Sequence, residues 1–181
     1  MPELPVSEER FRQIYNLLER TIEERWGIPI TTRDVAEPFT GDLDGARIEL
    51  DYDLPIGDAV FILLHLFGHT VQWNVSERMR EVGLAPVKDA SDTLLAEIEA
   101  YEREAGRYSA QLLHELGVHE LDQWLADFTS ADIAYLLHFY RTGEKLPIEQ
   151  VWRSGEPPIQ PMPIPHFQPT RWIARNTGVV I

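Results

Sequence analysis

His65 and His69 are the residues whose type and spacing point most directly to chemistry, in the run V-F-I-L-L-H-L-F-G-H-T-V-Q-W-N from Val60 to Asn74. Four residues apart on an α-helix, two imidazoles share one face, one turn from each other. This is the ligand spacing of H-E-x-x-H zinc sites, where a third protein ligand comes from another element and water takes the open position. In that motif the residue after the first histidine is Glu, the general base; here it is Leu66. The run is apolar nearly all round, which predicts a buried central helix. Each imidazole must then find a partner away from water. A shared metal or a shared carboxylate satisfies both at once. Two core histidines, each with its own hydrogen bond, are the plain structural alternative.

The third ligand should be acidic and should come from a neighbouring helix. Ser91 is a good N-cap for a helix predicted over Asp92–Leu116, with Gly117 as its stop. Its apolar stripe is Leu94, Ile98, Tyr101, Ala105, Tyr108 and Leu112. At about 100° per residue, Glu97 falls roughly 60° from the centre of that stripe, and Glu104 roughly 80° away on the same flank. Glu102 is as far round on the opposite flank. Glu99 points to solvent, where it pairs with Arg103 at i, i+4. The candidate ligand set is therefore His65 and His69 with Glu97 or Glu104. His114 and His119 imitate a second motif, but they are five apart, about 140° beyond a full turn, with Gly117 between them. That segment is not expected to hold metal. His138 and His166 have no partner that the pattern names, and both are read as satisfied structural residues.

Other elements must position these groups. Ser7, followed by Glu8 and Glu9, begins an amphipathic helix over Glu8–Trp26 that Gly27 stops. I-P-I-T-T-R-D-V and A-R-I-E-L-D-Y read as short strands, and the turn residues between them (Pro38, Gly41, Asp42, Gly45) suggest that they pair antiparallel. The histidine helix should begin close to Asp58. Gly68 costs it roughly 1 kcal/mol against Ala, a cost that a close backbone or ligand approach would justify. Asn74–Gly83 reads as a short helical extension or a loop, and Leu84–Asp89 as a connector. Leu121–Phe128 and Ala131–Arg141 read as two further helices, the second capped by Ser130. Seven of the thirteen prolines lie beyond Leu146, together with Trp152, Phe167 and Trp172. This extended segment is too apolar for a free linker and is expected to wrap over the domain or a partner subunit. The fold class expected is α+β: a mainly helical domain over residues 1–145 with a small sheet, and a proline-rich extension over 146–181.

The bulk composition narrows the function. A net charge of −14 argues against nucleic acid and against anionic membrane surfaces. The chain has no cysteine, so any metal must be held by His, carboxylate and water. The N-terminus lacks the features of a signal peptide, and the apolar run is too short to span a bilayer. A cytoplasmic protein is the expectation, with the extension as the route to a protein partner or a homo-oligomer.

Three stretches in order, G-A-R-I-E-L-D-Y-D-L, H-L-F-G-H-T-V-Q and E-I-E-A-Y-E-R-E-A-G-R-Y-S-A, resemble the zincin core of ImmA/IrrE-like metallopeptidases and related gluzincins. The resemblance covers roughly Gly45–Leu113. That core has a strand, a helix bearing H-E-x-x-H and a later helix supplying a Glu ligand. The resemblance implies zinc at His65 and His69. The family's Glu-Ala followed by an aromatic three residues on matches Glu104, Ala105 and Tyr108, whereas helix geometry slightly prefers Glu97. Leu66 is the departure from the pattern. It accepts no proton, and losing a general base costs roughly 10²–10⁴-fold in rate. The function expected is a degenerate zincin-like metal-binding protein without standard peptidase activity. The alternatives are an active zinc-dependent hydrolase with a displaced base, here the glutamate that does not ligate, and a metal-free interaction module working through the extension.

Overall fold

The computed structural model describes residues 4–35, 40–85 and 90–172. The turn residue Pro38, most of the expected Leu84–Asp89 connector and the end of the extension lie outside the described residues. The chain is α+β, with six helices and one three-stranded sheet among the described residues. The helices are α1 (Glu8–Trp26), α2 (Ile56–Val75), α3 (Glu77–Gly83), α4 (Asp92–Glu115), α5 (Asp122–Thr142) and α6 (Ile148–Val151); the strands are β1 (Ile30–Arg33), β2 (Gly41–Leu43) and β3 (Ile48–Asp51).

Helix α1 forms as its sequence dictates. The Ser7 hydroxyl accepts from Arg10 N at 3.2 Å, and Gly27 closes the helix in the left-handed region at φ 68°. Its stripe of Phe11, Ile14, Leu18 and Ile22 is buried. Helix α2 is the centre of the molecule, buried from Val60 to Trp73 and packed against α1, α4 and the sheet. Ser76 caps α3, so the Asn74–Gly83 region is helical with one break.

The sheet corrects one expectation. Its order is β1-β3-β2, and the two strands read from the sequence, β1 and β3, run parallel, with Ile30 opposite Ile48. The antiparallel partner of β3 is β2, with Leu43 opposite Ile48 and Gly41 opposite Leu50. Only four residues separate β2 from β3. Asp44 Oδ1 accepts from Ala46 N at 2.9 Å within that turn, and Gly45 takes φ 93°. A short Asx-type turn closes a hairpin more cheaply than a long connection does, so β2 takes the antiparallel edge.

Helix α5 corrects another. Leu121–Phe128 and Ala131–Arg141 are not two helices; α5 runs unbroken through Thr129 and Ser130. A serine caps only where its own backbone is non-helical, and Ser130 lies within the helix. Here Thr129 packs on Gly106 of α4, where an added Cβ would stand 3.1 Å from its Cγ2, and that contact keeps the segment helical.

The chain beyond Leu146 lies on the domain. Gly155 N and Glu156 N donate to Asp127 Oδ1, each at 2.9 Å, and Met162 N donates to Arg107 O. Phe167 is buried with its ring stacked on Trp26 at 6.2 Å. Thr170 N donates to Asn74 Oδ1 at 2.8 Å, and the Arg80 guanidinium sits 3.6 Å above the Trp172 ring.

At Gly68 the backbones of α2 and α4 are in close contact. A Cβ at this position would stand 2.4 Å from Ala105 O and 2.9 Å from Ala105 Cα. Ala would gain about 1 kcal/mol in helix propensity. The overpacking is against backbone, which no rotamer change relieves, so its cost lies in the upper part of the usual range, about 2–3 kcal/mol. Gly68→Ala is expected to lower the melting temperature by roughly 2–8 °C, from a net loss of about 1–2 kcal/mol. An unchanged or raised melting temperature would contradict the close crossing.

Candidate metal centre

Helix α2 presents His65 and His69 on the face turned to α4, and α4 answers with a carboxylate. His69 Nε2 is 3.0 Å from His65 Nε2 and 3.0 Å from Glu102 Oε2. His65 Nε2 is 3.6 Å from the same oxygen. All three side chains are buried. Four ligands at the zinc distances of about 2.0–2.2 Å on a tetrahedron lie roughly 3.3–3.6 Å apart. One observed separation matches that edge and two are about 0.3 Å shorter, so a single cation is within reach of all three atoms after a small outward shift.

The hydrogen bonds around His69 assign its proton. Gln72 Nε2 donates to Tyr101 O at 2.9 Å and to Glu104 Oε1 at 3.1 Å. Gln72 Oε1 therefore faces His69 Nδ1 at 2.8 Å and accepts its proton. His69 Nε2 is left with a lone pair aimed at a second imidazole nitrogen and a carboxylate oxygen. With the His65 proton on Nδ1, three lone pairs face one point, an arrangement that a cation satisfies. The Gln72 contact is the kind of outer hydrogen bond that fixes the tautomer of a ligating histidine. The donor set fits zinc, with two imidazole nitrogens and one carboxylate oxygen and no thiolate.

Of the expected ligands, the structure brings together His65 and His69 but neither Glu97 nor Glu104. Glu97 is partly exposed and pairs with Arg78 at 2.5 Å. Glu104 reaches the centre only through Gln72. The carboxylate that converges is Glu102, on the flank thought to be the wrong one. The reason is that α4 is covered on both flanks. Leu95, Glu102, Gly106, Ser109 and Leu113 form a second buried row, and the Ser109 hydroxyl donates to Leu64 O of α2. The sequence held a signal for this, because Glu102 is the lone charge in a row otherwise free of charge.

Asp132 of α5 was not foreseen. It is 4% exposed, and its Oδ2 lies 3.7 Å from His65 Nδ1, on the side away from His69. Burial, and secondarily the Glu102 charge, holds its carboxyl well above the usual carboxylate range. Its place between Phe128 and Tyr135, on the apolar face of α5, was the available sign.

Burial drives the His65 pKa down to about 3, with His69 adding to the shift and Glu102 opposing it. Between pH 6.5 and 3 the unfolded chain then holds more proton at this position than the folded one. Stability from this group is complete above pH 6.5 and falls as pH drops through that window. Urea unfolding of the metal-free chain should show a midpoint that declines below pH 6.5, and a shallower decline in His65→Asn. Equal slopes would contradict a buried neutral imidazole.

His114 and His119 were set aside on helical spacing, yet the Gly117 turn brings their rings to 4.4 Å. With Asp122 they form the second group of ligand atoms close enough to hold an ion among the described residues. Their ties are those of a surface cluster: Asp122 Oδ1 is 2.8 Å from His114 Nε2, and His119 is exposed. His138, read as satisfied, is buried at Nε2 without a hydrogen-bond partner. His166 is exposed. No helix among the described residues is long and apolar enough to cross a membrane.

Leu66 is fully buried. It packs beneath β2, with its Cδ1 2.8 Å from where a Cβ on Gly41 would stand. The position next to the first histidine is thus filled by core, with no exposed surface among the described residues. Comparison of the chain with protein-family models, with curated proteins and with solved structures found no match in any of the three.

Proposed function

We propose that this chain is a zincin-like metal-binding protein that holds zinc at His65, His69 and Glu102 and lacks standard peptidase activity. The observation that carries the reading is the convergence of three buried ligand atoms beside a buried leucine in the place of the base. Zinc bound there would supply Lewis acidity. The chain's own residues do the rest: Gln72 holds the His69 tautomer, Glu104 and Tyr101 hold Gln72, and the Gly68–Ala105 crossing sets the distance between the two ligand-bearing helices. Elemental analysis of the purified chain tests the reading. About one zinc per chain is expected, lost in His65→Ala. Absence of metal, with no thermal response to added zinc, would remove it.

The second reading, a hydrolase with a displaced base, has one observation in its favour. Asp132 is a buried carboxylate on the free side of His65 and also lines an apolar cavity. Its test is turnover of peptide and ester substrates that chelator abolishes and Asp132→Asn removes. The aromatic residues that suggested a metal-free interaction module, Trp152, Phe167 and Trp172, pack on this chain.

A further inference from the structure

Two cavities adjoin along α5, one of about 390 Å³ and one of about 270 Å³, with Ser130 and Glu156 lining both. Their floor is one face of α5, where Ala126, Ser130 and Ala134 follow at steps of four over about 12 Å. The larger cavity is walled by α4, through Arg103 and Arg107, and by the chain over 156–160. The smaller is walled by α6 and by Arg153 just beyond it. Together they make a groove of the size at which small molecules bind.

The charges along this groove have an order. Arg107 lines one cavity, Glu156 the part common to both, and Arg153 the other. Each stands on tethered chain. Arg107 Nε donates to Gln160 O at 3.0 Å, which leaves the two terminal nitrogens of the guanidinium to grip a carboxylate as a fork. Glu156 N donates to Asp127 Oδ1, and Glu156 O accepts from Gln123 Nε2, each at 2.9 Å. Arg153 follows Trp152, whose ring meets Phe128 edge to face. Among the described residues Arg107, Arg153 and Glu156 form no ion pair, and the Ser130 hydroxyl makes no hydrogen bond. Arg103 differs, because its Nε and Nη2 both donate to Glu99 Oε1. A chain of net charge −14 thus sets two uncommitted guanidiniums about one uncommitted carboxylate in a single groove.

We propose that this groove binds a free acidic α-amino acid, of the glutamate and aspartate class. Its α-carboxylate meets the Arg107 fork, its ammonium meets Glu156 and the Ser130 hydroxyl, and its side-chain carboxylate meets Arg153. The match is one of sign and of order: negative, positive, negative against positive, negative, positive. The ammonium carries three donors in a compact head, enough for the carboxylate and the hydroxyl together. A dicarboxylate lacks the central cation, and the amide of the amino acid lacks the outer charge. None of the lining residues is a ligand of the metal centre, and the assignment does not rest on that centre.

The test is calorimetric titration of the full chain with L-glutamate and L-aspartate. Whichever binds tighter is then compared with its amide (glutamine or asparagine) and with its dicarboxylate (glutarate or succinate). The amino acid should bind at one site, about tenfold tighter than either analogue. Arg153→Gln should weaken it to the level of the amide and leave the amide unchanged. Glu156→Gln should weaken it to the level of the dicarboxylate. Arg107→Gln should weaken all three compounds alike. All three substitutions are made at side chains that are exposed or half-buried, outside the core. Equal binding of the three compounds, or no saturable binding up to about 10 mM, overturns the assignment. Discrimination that survives both Arg153→Gln and Glu156→Gln overturns it as well.

Discussion

Zinc added to the metal-free chain should raise its melting temperature by roughly 5–11 °C, and His69→Ala should abolish the rise. The size follows from linkage. A ligand that binds only the folded chain stabilises it by about 2.7 kcal/mol at 100 times its dissociation constant. For a chain of this length each kcal/mol is worth about 2–4 °C. His69 is the sharpest substitution because it touches both other ligand atoms at 3.0 Å and is fully buried. Glu102→Gln should fold and lose most of the zinc response, since the amide carries no charge. Glu97→Gln should change nothing, because Glu97 spends its carboxylate on Arg78. Glu104→Gln should weaken zinc modestly by loosening Gln72, and about tenfold is the lower end of such outer-contact effects. Differential scanning fluorimetry with and without zinc separates these cases. A zinc response that survives His69→Ala, or that follows Glu97, would overturn the assignment of the centre.

Leu66→Glu should destabilise the chain by at least about 3 kcal/mol and should not create a peptidase. On motif logic alone this substitution completes H-E-x-x-H. The structure argues otherwise. Leu66 is fully buried and packs beneath β2, where the Gly41 backbone leaves no room. A glutamate here would be an unpaired charge among apolar groups, at a position with no exposure among the described residues. Urea unfolding measures the loss, and a fluorogenic peptide panel, with and without chelator, measures the activity. A stable Leu66→Glu chain with chelator-sensitive turnover would mean that the face beneath β2 is an open catalytic cleft. The missing base would then be one lost residue rather than a rebuilt site.

Much of the helical layer was legible. The spacing of Phe11, Ile14, Leu18 and Ile22, with Ser7 before and Gly27 after, is a local code, and α1 follows it. Helix α4 likewise begins at its Ser91 cap, whose hydroxyl accepts from Leu94 N. The break expected at Ser130 was not there, because capping preference is weak and packing of Thr129 on Gly106 outweighed it. The pairing of β1 was misread because hydrogen-bond partners of a strand are set by connection length and by neighbours, not by alternation within it.

What the sequence determined by itself about this protein is the pair of imidazoles one turn apart in a helix too apolar to lie anywhere but the centre. Local periodicity suffices for that, since both residues ride on one element. It also determined that Leu66 can do no proton chemistry. Which carboxylate meets the pair was decided only by the tertiary structure. Rotation about the α4 axis is set by what covers each flank, and α5 covers the flank of Glu102 while Glu97 is left to Arg78. Asp132 and the cavity that it lines belong to the same class of fact. They exist only where α2, α5 and the chain after Leu146 meet, and no single element carries the information that brings three segments to one place.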